Sequence, residues 1–353
     1  MYEFPELIAQ AMKMHASDLH LSSGRPASCR VDGKIVTMYE DRLMPPDIET
    51  IAGSIMNEQQ SETLKENGEV DFAYSLPSLG RFRVNVFRQR GSLAMVARIL
   101  NFKIPSPRDL GIPDSVVEMV NKKRGLVLVT GATGSGKSTT LACLIDIINR
   151  TYPYHILTLE DPVEYLHHHE KSIVNQREIG NDSRTYASSL RAALRQDPDV
   201  ILVGEMRDLE TIAIAVTAAE TGHLVFSTLH TIGAANTIDR IIDVFPPYQQ
   251  QQIRTQLADV LECVVSQQLL PKKSGTGRVA AMEVMIANSA IRSHIREAKT
   301  FQIQSVLQTN RRAGMITMDD AIYELYLKDE ITKDTAFRFA QNLPYLTKRI
   351  AGL

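Results

Sequence analysis

The sequence predicts an α/β protein in two parts: a mixed α+β domain over residues 1–100, then a linker at 101–113, a parallel sheet with helices on both faces over 114–287, and a helical region over 288–353. Three observations carry this expectation. Strand-like alternation dominates the first hundred residues. Pro105, Pro107, Gly111 and Pro113 then interrupt regular structure, and beyond them short apolar runs are separated by helical stretches. A chain of 353 residues with 44% hydrophobic side chains can bury two cores.

Taken in order, Glu6 to His15 is amphipathic and reads as a first helix. Ser17-Asp18-Leu19-His20-Leu21-Ser22 begins the alternation of a half-buried strand, and Val31-Asp32-Gly33-Lys34-Ile35 reads as a hairpin turning at Asp-Gly. Arg81-Phe82-Arg83-Val84-Asn85-Val86-Phe87 alternates strictly, with Arg81 and Arg83 on one face. In the second part the apolar runs are Leu126–Val129, Ile156–Leu159, Val200–Val203 and Leu224–Phe226. Spaced by helices, they have the pattern of buried parallel strands. After Val279–Ala287 the chain reads as helical to its end.

The first of these runs leads directly into Gly131-Ala132-Thr133-Gly134-Ser135-Gly136-Lys137-Ser138, which fits G-x-x-x-x-G-K-[ST], and an amphipathic helix from Thr139 follows. Glycines let such a loop curl so that backbone N–H groups converge on phosphate oxygens at the positive end of the helix. The pattern predicts ATP as ligand, with Lys137 reaching the β- and γ-phosphates and Ser138 ligating Mg²⁺.

Hydrolysis needs carboxylates as well, to support the metal and to prepare water, and these belong at the C-terminal ends of strands beside the loop. Val200–Val203 is followed by Gly204-Glu205, and Ile156–Leu159 by Glu160-Asp161. Glu205 is the expected principal catalytic carboxylate, with Glu160 as a second acid behind the metal. His230, in Thr228-Leu229-His230 at another strand end, can donate to a γ-phosphate oxygen. His223, at the start of that strand, is the weaker candidate for the same task. Consecutive histidines cannot all face one ion, so His167-His168-His169 is expected to form a solvated loop.

Composition restricts the partners. With 39 Lys+Arg against 41 Asp+Glu the chain has no net field to attract nucleic acid, and 6% aromatics without tryptophan offer little for base stacking. Cys29, Cys143 and Cys263 form no Cys-x-x-Cys pair and are expected to be reduced and buried. The acidic, proline-bearing start and the lack of a long apolar run suggest a cytosolic protein that meets a membrane only through a partner.

These residues together resemble the ATPases of type II secretion and type IV pili, most closely the branch that retracts pili. The resemblance rests on the phosphate loop, on an acidic box from His155 to Tyr165, on Asp199 to Glu205 and on a histidine box from Thr221 to His230, and it spans almost the whole chain. It implies a PAS-like N-terminal domain, a RecA-like ATPase core and a homohexamer acting on an inner-membrane pilus platform protein. It also implies that N-terminal arginines approach the nucleotide, for which Arg81, Arg83, Arg88 and Arg98 are candidates. Ala290-Ile291-Arg292-Ser293-His294-Ile295-Arg296-Glu297 matches the retraction branch's AIRNLIRE signature except at Ser293 and His294. The near alternatives are an accessory retraction paralogue and an assembly ATPase, although the assembly enzymes have a longer N-terminal region and a four-cysteine zinc site. A nucleic-acid motor would share the RecA-like ring, and a small-molecule kinase the phosphate loop.

Overall fold

A computed structural model describes residues 2–352 except 32, 78 and 100–103. The chain forms two compact units, Met1–Lys103 with the short stretch Glu164–Leu166, and Ile104–Val163 with His167–Leu353.

The first unit contains α1 (Phe4–Lys13), β1 (Asp18–Ser22), β2 (Pro26–Val31), β3 (Lys34–Arg42), α2 (Pro45–Ile55), α3 (Glu58–Asn67), β4 (Glu69–Leu76), β5 (Gly80–Gln89) and β6 (Ser92–Ile99). The strands make one sheet in the order β3-β2-β1-β6-β5-β4, antiparallel at every pairing. Val31 pairs with Lys34, so β2 and β3 form the expected tight hairpin, although Asp32 of its turn lies outside the described residues. Phe82, Val84 and Val86 of β5 are buried under α1 and α2, and the alternate positions 81, 83, 85 and 87 face the other way.

The second unit begins with α4 (Pro107–Leu110) and α5 (Asp114–Val117). Much of the expected linker is therefore structured, while residues 101–103 lie outside the described residues. The reason is positional. Pro107 occupies the first turn of α4, where its missing N–H costs nothing, Ser106 caps that turn, and Gly111 closes it in the left-handed conformation. The same residues that signalled a break thus bound a short helix.

Next come β7 (Gly125–Thr130), α6 (Lys137–Thr151), β8 (His155–Glu160), β9 (Ile173–Glu178), α7 (Tyr186–Ala193), β10 (Val200–Val203), α8 (Leu209–Glu220), β11 (Leu224–Leu229), α9 (Ala234–Asp243), α10 (Pro247–Val260), β12 (Leu261–Pro271) and β13 (Arg278–Ile286). The sheet order is β13-β12-β7-β11-β10-β8-β9, parallel except that β13 runs antiparallel to β12. Both faces are covered, as the unbroken apolar runs require. Leu126 and Leu128 of β7 enter one core and Val127 and Val129 the other. The chain then continues through α11 (Ser289–Arg296), α12 (Ile303–Thr309), α13 (Met318–Leu327), α14 (Lys333–Phe339) and α15 (Leu343–Ala351), with short 3-10 turns before α12 and before α13. No described helix is long and apolar enough to cross a membrane.

Candidate active site

All four apolar runs of the second unit end at the same edge of the sheet, because the strands are parallel and in register: Thr130 pairs with Leu229, and Val203 pairs with both Ser227 and Leu159. The phosphate loop leaves β7 at this edge. Gly131 and Gly136 have φ of 138° and 90°, and both positions also lack room. A Cβ on Gly131 would lie 2.3 Å from the Gln267 carbonyl oxygen and 2.7 Å from Ser135 Oγ, and one on Gly136 would lie 2.8 Å from Gln267 Nε2. Lys137 opens α6 and donates to the carbonyls of Gly131 (2.8 Å) and Ala132 (3.1 Å). Thr133 and Gly134 are exposed at the loop's crest, Ser138 and Thr139 are half-buried in the first helical turn, and Ser135 Oγ is buried without a hydrogen-bond partner.

A glycine-lined loop, an amine folded back on carbonyls and an unmatched hydroxyl suit a polyphosphate ligand. Ser138, at the helix start, has the chemistry to ligate its magnesium ion.

The acids are not on the strands next to β7, as the sequence suggests. β11 lies between β7 and β10, and β8 is one strand further. The sheet therefore places His230, at the end of β11, between the phosphate loop and the carboxylates. His230 Nε2 is 3.0 Å from Glu205 Oε1, and Arg207 donates from Nε to the same oxygen. Glu205 is largely enclosed, with 16% of its side chain exposed. Glu160 Oε1 accepts from Thr158 Oγ1 (2.7 Å) and from Gln176 Nε2 (3.2 Å), which fixes the carboxylate at the end of β8. Gly204 is squeezed between the two acids: a Cβ there would meet Tyr186 Oη at 2.9 Å, the Leu159 carbonyl oxygen at 3.0 Å and Glu160 Cα at 3.3 Å. Burial pushes the Tyr186 phenol well above its ordinary pKa, and the charges of Asp161, Glu205 and Glu160 push the same way.

Two cavities meet at this point. One, of about 320 Å³, is lined by Glu205, Arg207, His230 and Arg240; the other, of about 470 Å³, by Asp161, Arg184, Tyr186, Glu205 and Arg207. Sequence reasoning missed Tyr186, Arg207 and Gln267. Arg207 could have been found two residues beyond Glu205, whereas Tyr186 and Gln267 belong to no motif.

His223 does not join the site. It stands at the start of β11, where its carbonyl accepts from Gly125 N (3.1 Å) at the opposite end of β7 from the loop, and its Nδ1 is 2.9 Å from the Ala218 carbonyl oxygen. The histidine run is also not uniformly solvated. His168 and His169 are exposed, but His167 is half-buried with Nδ1 enclosed, and no metal-ligating cluster occurs among the described residues.

The four arginines belong to the first unit. Arg83 on β5 stands directly opposite Arg98 on β6, which in turn stands opposite Asp18 on β1. Arg98 Nε donates to Asp18 Oδ1 at 3.0 Å. Burial opposes ionisation of Asp18, but Ser17 and Arg98 outweigh it and hold the carboxyl below its ordinary range. Arg81 is half-buried opposite Ser75, and Arg88 is exposed near the end of β5.

The family model described as "Type II/IV secretion system protein" matches residues 5–335. The "type IV pilus retractation ATPase PilT" of Pseudomonas aeruginosa is 47% identical over 95% of this chain and 97% of its own length. The "type IV pilus ATPase PilU" of the same organism is 39% identical over 96% of this chain and 89% of its own. The crystal structure of the pilus retraction motor PilT with bound ADP superposes with a TM-score of 0.93 at 50% identity, covering 99% of this chain and all of that one. With its phosphate loop and strand-end acids at one edge of such a sheet, the chain belongs to the type II/IV secretion system protein family.

Proposed function

We propose that this protein is a hexameric motor that hydrolyses Mg·ATP to retract type IV pili, working at the inner face of the cytoplasmic membrane through a platform protein. The observation that carries the hydrolytic half is the 3.0 Å approach of His230 to Glu205 at the sheet edge from which the phosphate loop springs. The retraction half rests on the similarity to proteins so named.

Bound magnesium supplies positive charge that neutralises the β- and γ-phosphates. The chain does the rest. Lys137 would move its amine from the loop carbonyls to phosphate oxygens, and Ser138 would hold the metal, supported by Glu160. Glu205 takes a proton from water as the water oxygen bonds to the γ-phosphorus and the bond to the leaving ADP oxygen breaks. His230, which shares the Glu205 Oε1 oxygen with Arg207, senses whether a γ-phosphate is present. An arginine among Arg81, Arg83, Arg88 and Arg98 completes the charge in the assembled ring.

Lys137→Ala is expected to abolish hydrolysis and weaken nucleotide binding, and Glu205→Gln to bind Mg·ATP but turn over roughly 100-fold more slowly. Full activity in either variant refutes that residue's role. Loss of retraction with pili still formed on deletion separates this reading from an assembly ATPase. The similarity to PilU keeps an accessory retraction role as the second reading, which complementation of a retraction-deficient strain decides. Hydrolysis stimulated by DNA or RNA would instead favour a nucleic-acid motor.

A further inference from the structure

Strand β12 runs past the end of β7. Ser266 pairs with Thr130, the last residue of β7, while β12 continues, paired with β13, as far as Pro271. Gln267 is therefore carried by a hairpin alongside the phosphate loop, and it is 3% exposed. Its Nε2 donates to the Ser135 carbonyl at 2.7 Å, and its Oε1 accepts from Thr140 Oγ1 at 2.8 Å. The orientation of the amide is fixed, since a carbonyl can only accept and so must face the NH₂ group.

The Ser135–Gly136 peptide is planar and trans, so its C=O and N–H point in opposite directions. Holding the C=O outward against β12 turns the Gly136 N–H to the concave side of the loop, where such loops bind phosphate. We infer that Gln267 is a positioning residue for nucleotide binding: it aims the Gly136 N–H before the ligand arrives and removes an ordering cost that a loop with three glycines would otherwise pay on binding.

This inference rests on the nucleotide-binding role proposed for the loop. The test uses the full-length assembled protein with Mg·ADP and Mg·ATP. Gln267→Met keeps the side chain's length but removes both hydrogen bonds. It is expected to weaken Mg·ADP binding and raise KM for ATP about tenfold, with kcat at saturation within about threefold of the parent, because Glu205 and Glu160 are untouched. Hydrogen exchange over residues 131–138 of the nucleotide-free protein should rise. Gln267→Glu provides a second reading that does not depend on folding of the methionine variant. As a carboxylate it repels the Ser135 carbonyl, but once protonated its O–H can donate as the amide does. The affinity ratio between this variant and the parent should therefore narrow as pH falls from 8 to 6, since burial raises the pKa of such an acid.

A folded Gln267→Met protein with parental Mg·ADP affinity overturns the inference, as does a Gln267→Glu deficit that is constant with pH. Failure of the parent protein itself to bind Mg·ADP refutes instead the nucleotide role of the loop.

Discussion

Glu205 shows how little of a candidate catalytic residue's environment lies in its own segment. Its placement after an apolar run is legible in the sequence, but the histidine on its Oε1 comes from another strand. Gly204 beside it is required by packing: the space a Cβ would need is taken by Tyr186 and by the end of β8. His167 is the residue whose setting differs most from expectation. Burial pushes its imidazole down to about 4 from an ordinary 6.5, with the Asp146 charge opposing the shift. The folded protein keeps this ring neutral while the unfolded chain takes up a proton, so its stabilising effect is complete above about pH 6.5 and drains away as pH falls toward 4. The loss is expected to reach about 3 kcal/mol. Denaturant unfolding at pH 7 and pH 4.5 should show a difference that His167→Gln reduces; equal pH sensitivity in parent and variant would contradict it.

At the scale of elements, the signature helix α11 buries one side and leaves the other to solvent. Ile291 and Ile295 are fully buried, and Arg292 donates to the carbonyls of Ala258 and Asp259 at the end of α10 and to Glu262 Oε1 at 3.0 Å. Its guanidinium satisfies carbonyls that the end of α10 leaves open and complements that helix's dipole. Glu262 also receives Lys122 Nζ at 2.8 Å, and its side chain lies against Gly125, so the contact reaches the start of the phosphate-loop strand. Arg292→Ala should cost about 2–3 kcal/mol in unfolding free energy, measured by denaturant titration. An unchanged midpoint would mean that the arginine acts on a partner and not on α10.

The same scale shows why β12 is illegible in the sequence. It begins at Leu261, immediately after α10 ends at Val260, with no glycine or proline between them. Val264, Val265, Leu269 and Leu270 suit a buried helix as well as a strand until β7 and β13 are there to receive them. The edge strand β9 was missed for a related reason: only its second residue, Val174, and its last, Glu178, are buried, so the apolar signal is weak.

For the whole molecule, a formal charge of −2 supplies no long-range attraction for a polyanion. Assembly should be visible as a mass about six times 39.4 kDa in light scattering with Mg·ATP present; a monomer that hydrolyses ATP at full rate would refute the ring as the active form.

The sequence by itself determined the phosphate loop, the buried strands on which it and the acids sit, and the family resemblance, because glycine spacing and apolar runs are local features that a short window contains. Only the tertiary structure decided that β11 lies between β7 and β10, that His230 therefore meets Glu205 while His223 stands at the far end, and that Gln267 and Tyr186 reach the site. Those outcomes depend on strand order and register, which are settled by packing between segments tens of residues apart and so leave no mark on any one of them.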